Sequence, residues 1–162
     1  MCRLHYEDKK IEALTICSKI IGIIPTSPLG YLQRALILSE GNDNLSAIKD
    51  LNKAISYIGS KSLHILSHTD EIKYIYMLRS SCNLKLGKHQ EALLDMSKAI
   101  EANIYDADPY IWRSGIYLIL RDYQSCIEDA TKAITLSSSG NKDLYSAFEH
   151  RGYAYMALGY ID

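Results

Sequence analysis

His64 and His68 stand four residues apart, with Asp70 and Glu71 close behind. On one helix face such a pair can hold zinc. It has no HExxH frame and no fixed third ligand, so it reads as decoration of a linking segment, and no metal or other cofactor is expected. The four cysteines, Cys2, Cys17, Cys82 and Cys126, are widely spaced without a C-x-x-C pair, and none sits in a nucleophile motif. Cys126 occupies a position where small residues recur, so buried packing is its expected role. Gly59-Ser60-Lys61-Ser62 follows no strand and carries one isolated lysine, a linker rather than a phosphate loop. Carboxylate pairs are common on solvated helix faces and do not indicate catalysis. No catalytic residue is assigned, and an enzyme is not expected.

The wider composition narrows the classes further. Among 162 residues, 18 basic side chains face 19 acidic ones, a net charge of −1. So balanced a chain has no general field for nucleic acid or an anionic membrane. No apolar run approaches the ~18–20 residues that cross a bilayer. The first ten residues lack the apolar core of a secretion signal. Thiols without such a signal are read as reduced, and a cytoplasmic or nuclear location is expected. Only three prolines occur, which permits long helices. Tyrosine is abundant (13, against one Phe and one Trp); it buries its ring while keeping its hydroxyl wet.

Internal repetition supplies the elements. Asp50, Asp95 and Asp129 each open a D-x-x-K-A-I hexapeptide. Sixteen residues before each lies an arginine, Arg34, Arg79 and Arg113, followed by a small residue and preceded three positions earlier by Tyr31, Tyr76 or Tyr110. Phe148-x-x-Arg151-Gly152 is a fourth half-copy. Spacing is constant within a unit and variable between units, so the insertions fall in connections. Apolar periodicity gives two helices per unit, with no sustained strand alternation. The spacing predicts helices near 9–22, 28–40, 44–58, 70–86, 88–103, 109–120, 123–137 and 143–158, with residues 60–68 the least defined. Asp43, Asp108 and Asp122 are the expected helix caps, with Pro109 in a first turn. Small residues recur where paired helices must approach: Ala35, Ala47 and Ala54; Ser80, Ala92 and Ala99; Ser114, Cys126 and Ala133.

A 34-residue helix–turn–helix unit with these columns resembles the tetratricopeptide repeat (TPR) family. The best-matching segments are Tyr110-x2-Arg113-Ser114-x2-Tyr117 with Cys126-x6-Ala133, and Phe148-x2-Arg151-Gly152-x2-Tyr155 with Leu158-Gly159. Ala13 lies 34 residues before Ala47, and Pro25 resembles the family's closing proline. Arginine where the family usually carries leucine, and Ile20 where alanine is usual, are departures. The resemblance implies an all-α solenoid (an α-α superhelix) of helix-turn-helix repeats over residues 1–162. Its segments are a partial repeat at 1–27, repeats at 28–69 (with an insertion), 70–106 and 107–142, and a further first helix at 143–162. The register leaves at most a short opening helix near Cys2–Glu7 and a second helix due after Asp162. A longer native chain, or self-association through bare solenoid ends, is therefore expected.

The resemblance also implies where binding occurs. First helices of such repeats line a concave groove, and the matching columns hold Leu32, Gln33 and Leu36, then Met77, Leu78, Ser81 and Lys85. After them come Ile111, Trp112, Gly115 and Ile119, then Glu149, His150, Tyr153 and Met156. The implied function is a non-catalytic scaffold that docks a protein segment, peptide or helix, with Trp112 as anchor. The alternatives are an accessory segment of a larger enzyme and a helical-repeat RNA binder, the latter disfavoured by the charge balance. One TPR subgroup clamps acidic chaperone tails with Lys, Asn and Arg. The matching columns here hold Leu32, Leu36, Leu78, Asp108 and Trp112 or, one unit along, Met77, Ser81, Trp112, Ser146 and His150. Neither set supplies the cations a carboxylate needs, so a chaperone tail is not the expected partner.

The arginine column carries one more expectation. The midpoints between each arginine and its aspartate are Asn42, Gly87 and Arg121, all in the turn between paired helices. Residues equidistant from such a turn sit at one height, which predicts ion pairs Arg34–Asp50, Arg79–Asp95 and Arg113–Asp129, the rival being a pair with the preceding unit's aspartate, such as Arg79 with Asp50. Arg151 should lack an equivalent aspartate.

Overall fold

The structure, a computed structural model, describes residues 2–60, 69–137 and 144–160, and side chains at 9–58, 69–137 and 144–160. The expected His64, His68 pair and the apolar residues Leu63, Ile65 and Leu66 lie outside these residues, as do Cys2 as a side chain and the loop at 138–143. Among the described residues the fold is all-α, with α1 (Cys2–Ile23), α2 (Pro28–Glu40), α3 (Asn44–Ser60), α4 (Thr69–Lys85), α5 (His89–Ala102), α6 (Asp108–Ile119), α7 (Tyr123–Leu136) and α8 (Leu144–Ala157). The chain divides into two compact units, Met1–Gly87 and Lys88–Asp162.

Two local expectations need correction. The predicted short helix near Cys2–Glu7 is not separate: α1 runs unbroken to Ile23, because Glu7-Asp8-Lys9-Lys10 contains neither Gly nor Pro to stop it. Asp108 is not the cap of α6 but lies inside its first turn, where an acidic side chain suits the positive end of the helix. Asp106 Oδ1 takes the neighbouring orphan donor instead, accepting from the Asp108 N–H at 3.0 Å. The other two caps form as expected. Asp43 Oδ1 accepts from the Ser46 N–H at 3.1 Å and Asp122 Oδ1 from the Ser125 N–H at 3.2 Å.

The hairpin turns follow one design. Asn42, Gly87, Arg121 and Gly159 all adopt positive φ, from 59° to 74°, and each lies eight residues after its arginine. In three of the turns the next amide reaches back five residues: Asp43 to Leu38, Asp122 to Tyr117 and Tyr160 to Tyr155, at 2.9–3.0 Å. This is the Schellman closure, which satisfies helix-end carbonyls and needs one left-handed residue. Gly87 and Gly159 adopt that conformation freely; Arg121 does so at a cost.

Within the first unit α1 packs on α2, α2 on α3 and α3 on α4, while α2 also touches α4. Its core holds Tyr31, Leu32, Ala35, Leu51, Ile75 and Cys82. In the second unit α5 packs on α6, α6 on α7 and α7 on α8, with α6 also touching α8. There the core is built on Ile100, Tyr110, Ile111, Ala130, Ala133 and Ala147, with a further patch at Cys126, Ile127 and Ala154. The small-residue columns explain the close helix approach: Ala35, Ala47, Ala54, Ser114, Cys126 and Ala133 are all fully buried. A larger side chain at any of them would force off-rotamer packing at ~1–3 kcal/mol.

The arginines tie the hairpins together. Arg34 Nε and Nη2 donate to the two oxygens of Asp50 at 2.7 Å each. Arg113 does the same to Asp129 at 2.6 and 2.8 Å. Both aspartates are buried, and each pair is bidentate, which holds the two helices of a hairpin at one register. Arg79 belongs to the first unit and Asp95 to the second, so the third pair spans the units and stays an expectation.

The remaining guanidinium nitrogen does something the spacing argument did not anticipate. Nη1 of Arg34 donates to Ser18 Oγ (3.2 Å), of Arg79 to Asn52 Oδ1 (2.6 Å), of Arg113 to Ser97 Oγ (2.9 Å) and of Arg151 to Thr131 Oγ1 (3.5 Å). Each acceptor lies on the helix that precedes the arginine's own hairpin, and three of them stand two residues after the repeat aspartate. The aromatic three residues before each arginine, Tyr31, Tyr76, Tyr110 or Phe148, lies 5.4–5.9 Å from its guanidinium carbon, within cation–π range.

Candidate functional site

The columns singled out in the sequence fall on the first helices of the hairpins, in two separate sets. In the first unit α2 and α4 carry Leu32, Gln33, Leu36, Met77, Leu78, Ser81 and Lys85. Leu32 is buried in the core, which removes it from the side chains a ligand could touch. Leu36, Met77, Leu78 and Ser81 are half-buried, and Gln33 and Lys85 are exposed. Lys85 Nζ reaches the Ser39 carbonyl at 3.5 Å, tying α4 to α2.

In the second unit α6 and α8 carry the other set. Ile111, like Leu32, is a core residue rather than a surface one. Trp112 is 50% exposed, Ile119 58%, Tyr153 59% and Met156 57%. Burial of a large apolar side chain is worth ~1.5–3 kcal/mol, so four left open on two adjacent helices form an apolar face that the fold itself does not use. Positions 112, 115 and 119 share one face of α6 by helical spacing. A depression of about 450 Å³ lies against α8, lined by Leu118, Glu149, His150, Gly152, Tyr153 and Met156.

Gly115 lets the floor of this depression form. A Cβ there would lie 3.1 Å from the His150 ring. His150 Nδ1 lies 2.8 Å from the buried Ser114 Oγ. Ser114 donates its own proton to the Ile111 carbonyl at 2.7 Å, so the ring supplies the proton from Nδ1. Burial pushes the His150 pKa below its ordinary value, opposed by the nearby Glu149 carboxylate and a bond to the Ile111 backbone. The neutral ring is thus a packed part of the floor. A Ser–His contact of this kind is not a nucleophile site here, because Ser114 has no exposed surface. No motif marks this link, whose partners lie 36 residues apart.

A second apolar depression, about 350 Å³, lies between α1 and α2, with Ile16, Ile20, Leu29, Gln33 and Ile37 among its lining. The sequence did carry a trace of it: Ile20 stands out as an apolar residue where the repeat pattern wants alanine.

Groups able to do chemistry are sparse among the described residues. Cys17, Cys82 and Cys126 are buried free thiols. Burial raises the Cys82 pKa, and burial followed by Asp129 and Asp122 pushes that of Cys126 up to about 12. Such thiols stay protonated and inert at neutral pH. Among the described residues there is no group of three His, Cys, Asp or Glu placed to hold a metal ion, and no helix is long and apolar enough to cross a membrane.

Paired antiparallel helices with a left-handed turn, buried small-residue columns and a repeating Arg–Asp tie define a helical-hairpin repeat protein. Residues 74–103 match the tetratricopeptide repeat family, and the chain has the tetratricopeptide fold. It is similar to the crystal structure of MamA at a TM-score of 0.76, with 20% identity, over 97% of this chain and 83% of that one. It is similar to the first TPR of Spaghetti (RPAP3) bound to the HSP90 peptide SRMEEVD, at 0.66 and 16% identity, over 82% of this chain and 94% of that one. The TPR2B domain of yeast Sti1 in its complex with pHsp70 gives 0.67 and 19% identity, over 80% of this chain and 97% of that one. None of the curated protein sequences compared matches the chain.

Proposed function

We propose that this chain is a non-catalytic protein-interaction module, and that its chief docking surface is the α6–α8 face with Trp112 as anchor. The observation that carries this reading is the open apolar set Trp112, Ile119, Tyr153 and Met156 beside the depression against α8. Aromatic anchors of this kind dominate binding energy at protein interfaces. The likeness to TPR domains solved with HSP90 and Hsp70 segments supports docking as a use of this fold. The partner differs in chemistry from those tails in this reading, because the matched clamp columns here carry no lysine or arginine. The α2–α4 face, with Gln33, Leu36, Met77, Leu78 and Ser81, is a secondary surface.

The test is a crosslinking pull-down with a photo-reactive residue at position 112, against a control at Lys132 on α7. Trp112→Ala is then compared with the wild type by titration against the recovered partner. The reading expects crosslinks from position 112 only and a loss of about 2 kcal/mol, roughly 30-fold in Kd, with far-UV circular dichroism unchanged. If Trp112→Ala instead unfolds the chain, the indole is core and the surface assignment fails.

A further inference from the structure

Charge is not shared evenly between the two units. Residues 1–87 carry 11 basic and 8 acidic side chains, whereas residues 88–162 carry 7 basic and 11 acidic, a net −4. Three cations of the second unit are held by neighbours, while Lys88 and Arg121 are exposed outside the lining of the depression. Arg113 is held by Asp129 and Ser97, Arg151 donates to Thr131, and Lys98 pairs with Glu101. Lys132 lies on α7, outside the α6–α8 face. Among the described residues no lysine or arginine lines the depression against α8, and its one carboxylate is that of the exposed Glu149. The Tyr145 hydroxyl donates to that carboxylate, which leaves acceptor positions open on it. His150 beside it is kept neutral by its burial.

We infer that the α6–α8 face takes a protein segment bearing two or three large apolar side chains with a lysine or arginine beside them, the cation meeting Glu149. The inference rests on the docking reading above and adds the sign of the partner. Trp112, Gly115 and Ile119 span two helical turns, ~10 Å, which matches apolar residues one or two turns apart on an amphipathic helix. An acidic segment would bring its carboxylates against Glu149 with no cation in the lining to receive them, a mismatch that costs affinity and slows encounter.

The experiment uses the full chain and three synthetic amphipathic peptides free of tryptophan. Their leucine positions are identical and their polar positions are filled by lysine, glutamine or glutamate. Trp112 is the only tryptophan, so its emission reports occupancy of this face directly. At low salt the lysine peptide should bind at least about fivefold tighter than the glutamine peptide, and the glutamate peptide weaker still, the range of an exposed ion pair. Glu149→Gln, with circular dichroism unchanged, should remove most of the lysine advantage while leaving the glutamine peptide as before. Equal binding of all three peptides, or a lysine advantage that survives Glu149→Gln, overturns the charge inference and leaves the docking face standing. Failure of every peptide to perturb Trp112 overturns the docking reading, and the inference with it.

Discussion

The two units are built by the same rules and present different faces. Each has a bidentate Arg–Asp pair, Arg34–Asp50 in one and Arg113–Asp129 in the other. Each closes its hairpins on left-handed residues and buries its small-residue columns completely. Yet the first-helix face of the first unit is mostly half-buried and polar at Gln33, Ser81 and Lys85, while that of the second opens Trp112, Ile119, Tyr153 and Met156. Hairpin geometry and surface chemistry are therefore set by different residues, and one can change without the other.

The strongest way to break this comparison is to attack the shared frame. Asp50→Ala and Asp129→Ala each leave a partly buried guanidinium without its carboxylate. Each should lower unfolding free energy by about 2–3 kcal/mol in urea titrations. Near-equal losses support a common frame; a loss under ~0.5 kcal/mol at either site removes that pair from it.

The next largest effect separates the faces. Trp112→Ala should weaken partner binding by about 2 kcal/mol, while Gln33→Ala on the other face should change it by under ~0.5 kcal/mol, both at unchanged helicity by circular dichroism. Comparable losses would mean both faces bind.

Turn chemistry gives a smaller contrast. Gly87→Ala places a Cβ at φ +73° and should cost about 1 kcal/mol, whereas Arg121→Gly relieves a side chain held at φ +59° and should gain up to about 1 kcal/mol in thermal unfolding.

The finest distinction is pH. The folded His150 pKa lies below its ordinary value, so its contribution is complete above an unfolded pKa of ~6.5 and is lost as pH falls through the folded value. Stability should decline on acidification from about pH 6.5, and His150→Asn should flatten that part of the profile. An unchanged slope in the variant would place the titration elsewhere.

Much of the frame was legible because it repeats. The D-x-x-K-A-I hexapeptides and the arginines sixteen residues upstream mark helix pairing, turn position and the register of the Arg34–Asp50 and Arg113–Asp129 pairs. The midpoint residues Asn42, Gly87 and Arg121 proved to be the left-handed ones. What escaped does not repeat or depends on distant packing. The polar acceptors Asn52, Ser97 and Thr131 share the position two residues after the repeat aspartate, but their residue types differ, and Ser18 has no such aspartate before it. The Ser114–His150 bond joins residues on helices separated by α7. The family columns place Leu32 and Ile111 on the groove, yet both are buried within the cores of their units. The short helix expected near Cys2–Glu7 continues into α1 because nothing from Glu7 to Lys10 breaks a helix.

The third nitrogen of each arginine has a dynamic consequence. Arg34 and Arg113 grip their own hairpin with Nε and Nη2 and the preceding helix with Nη1. Opening one hairpin therefore strands a guanidinium that its neighbour also relies on. Local fraying is not confined to the hairpin where it starts, and adjacent helices within a unit should exchange their amide hydrogens as one cooperative block rather than pair by pair.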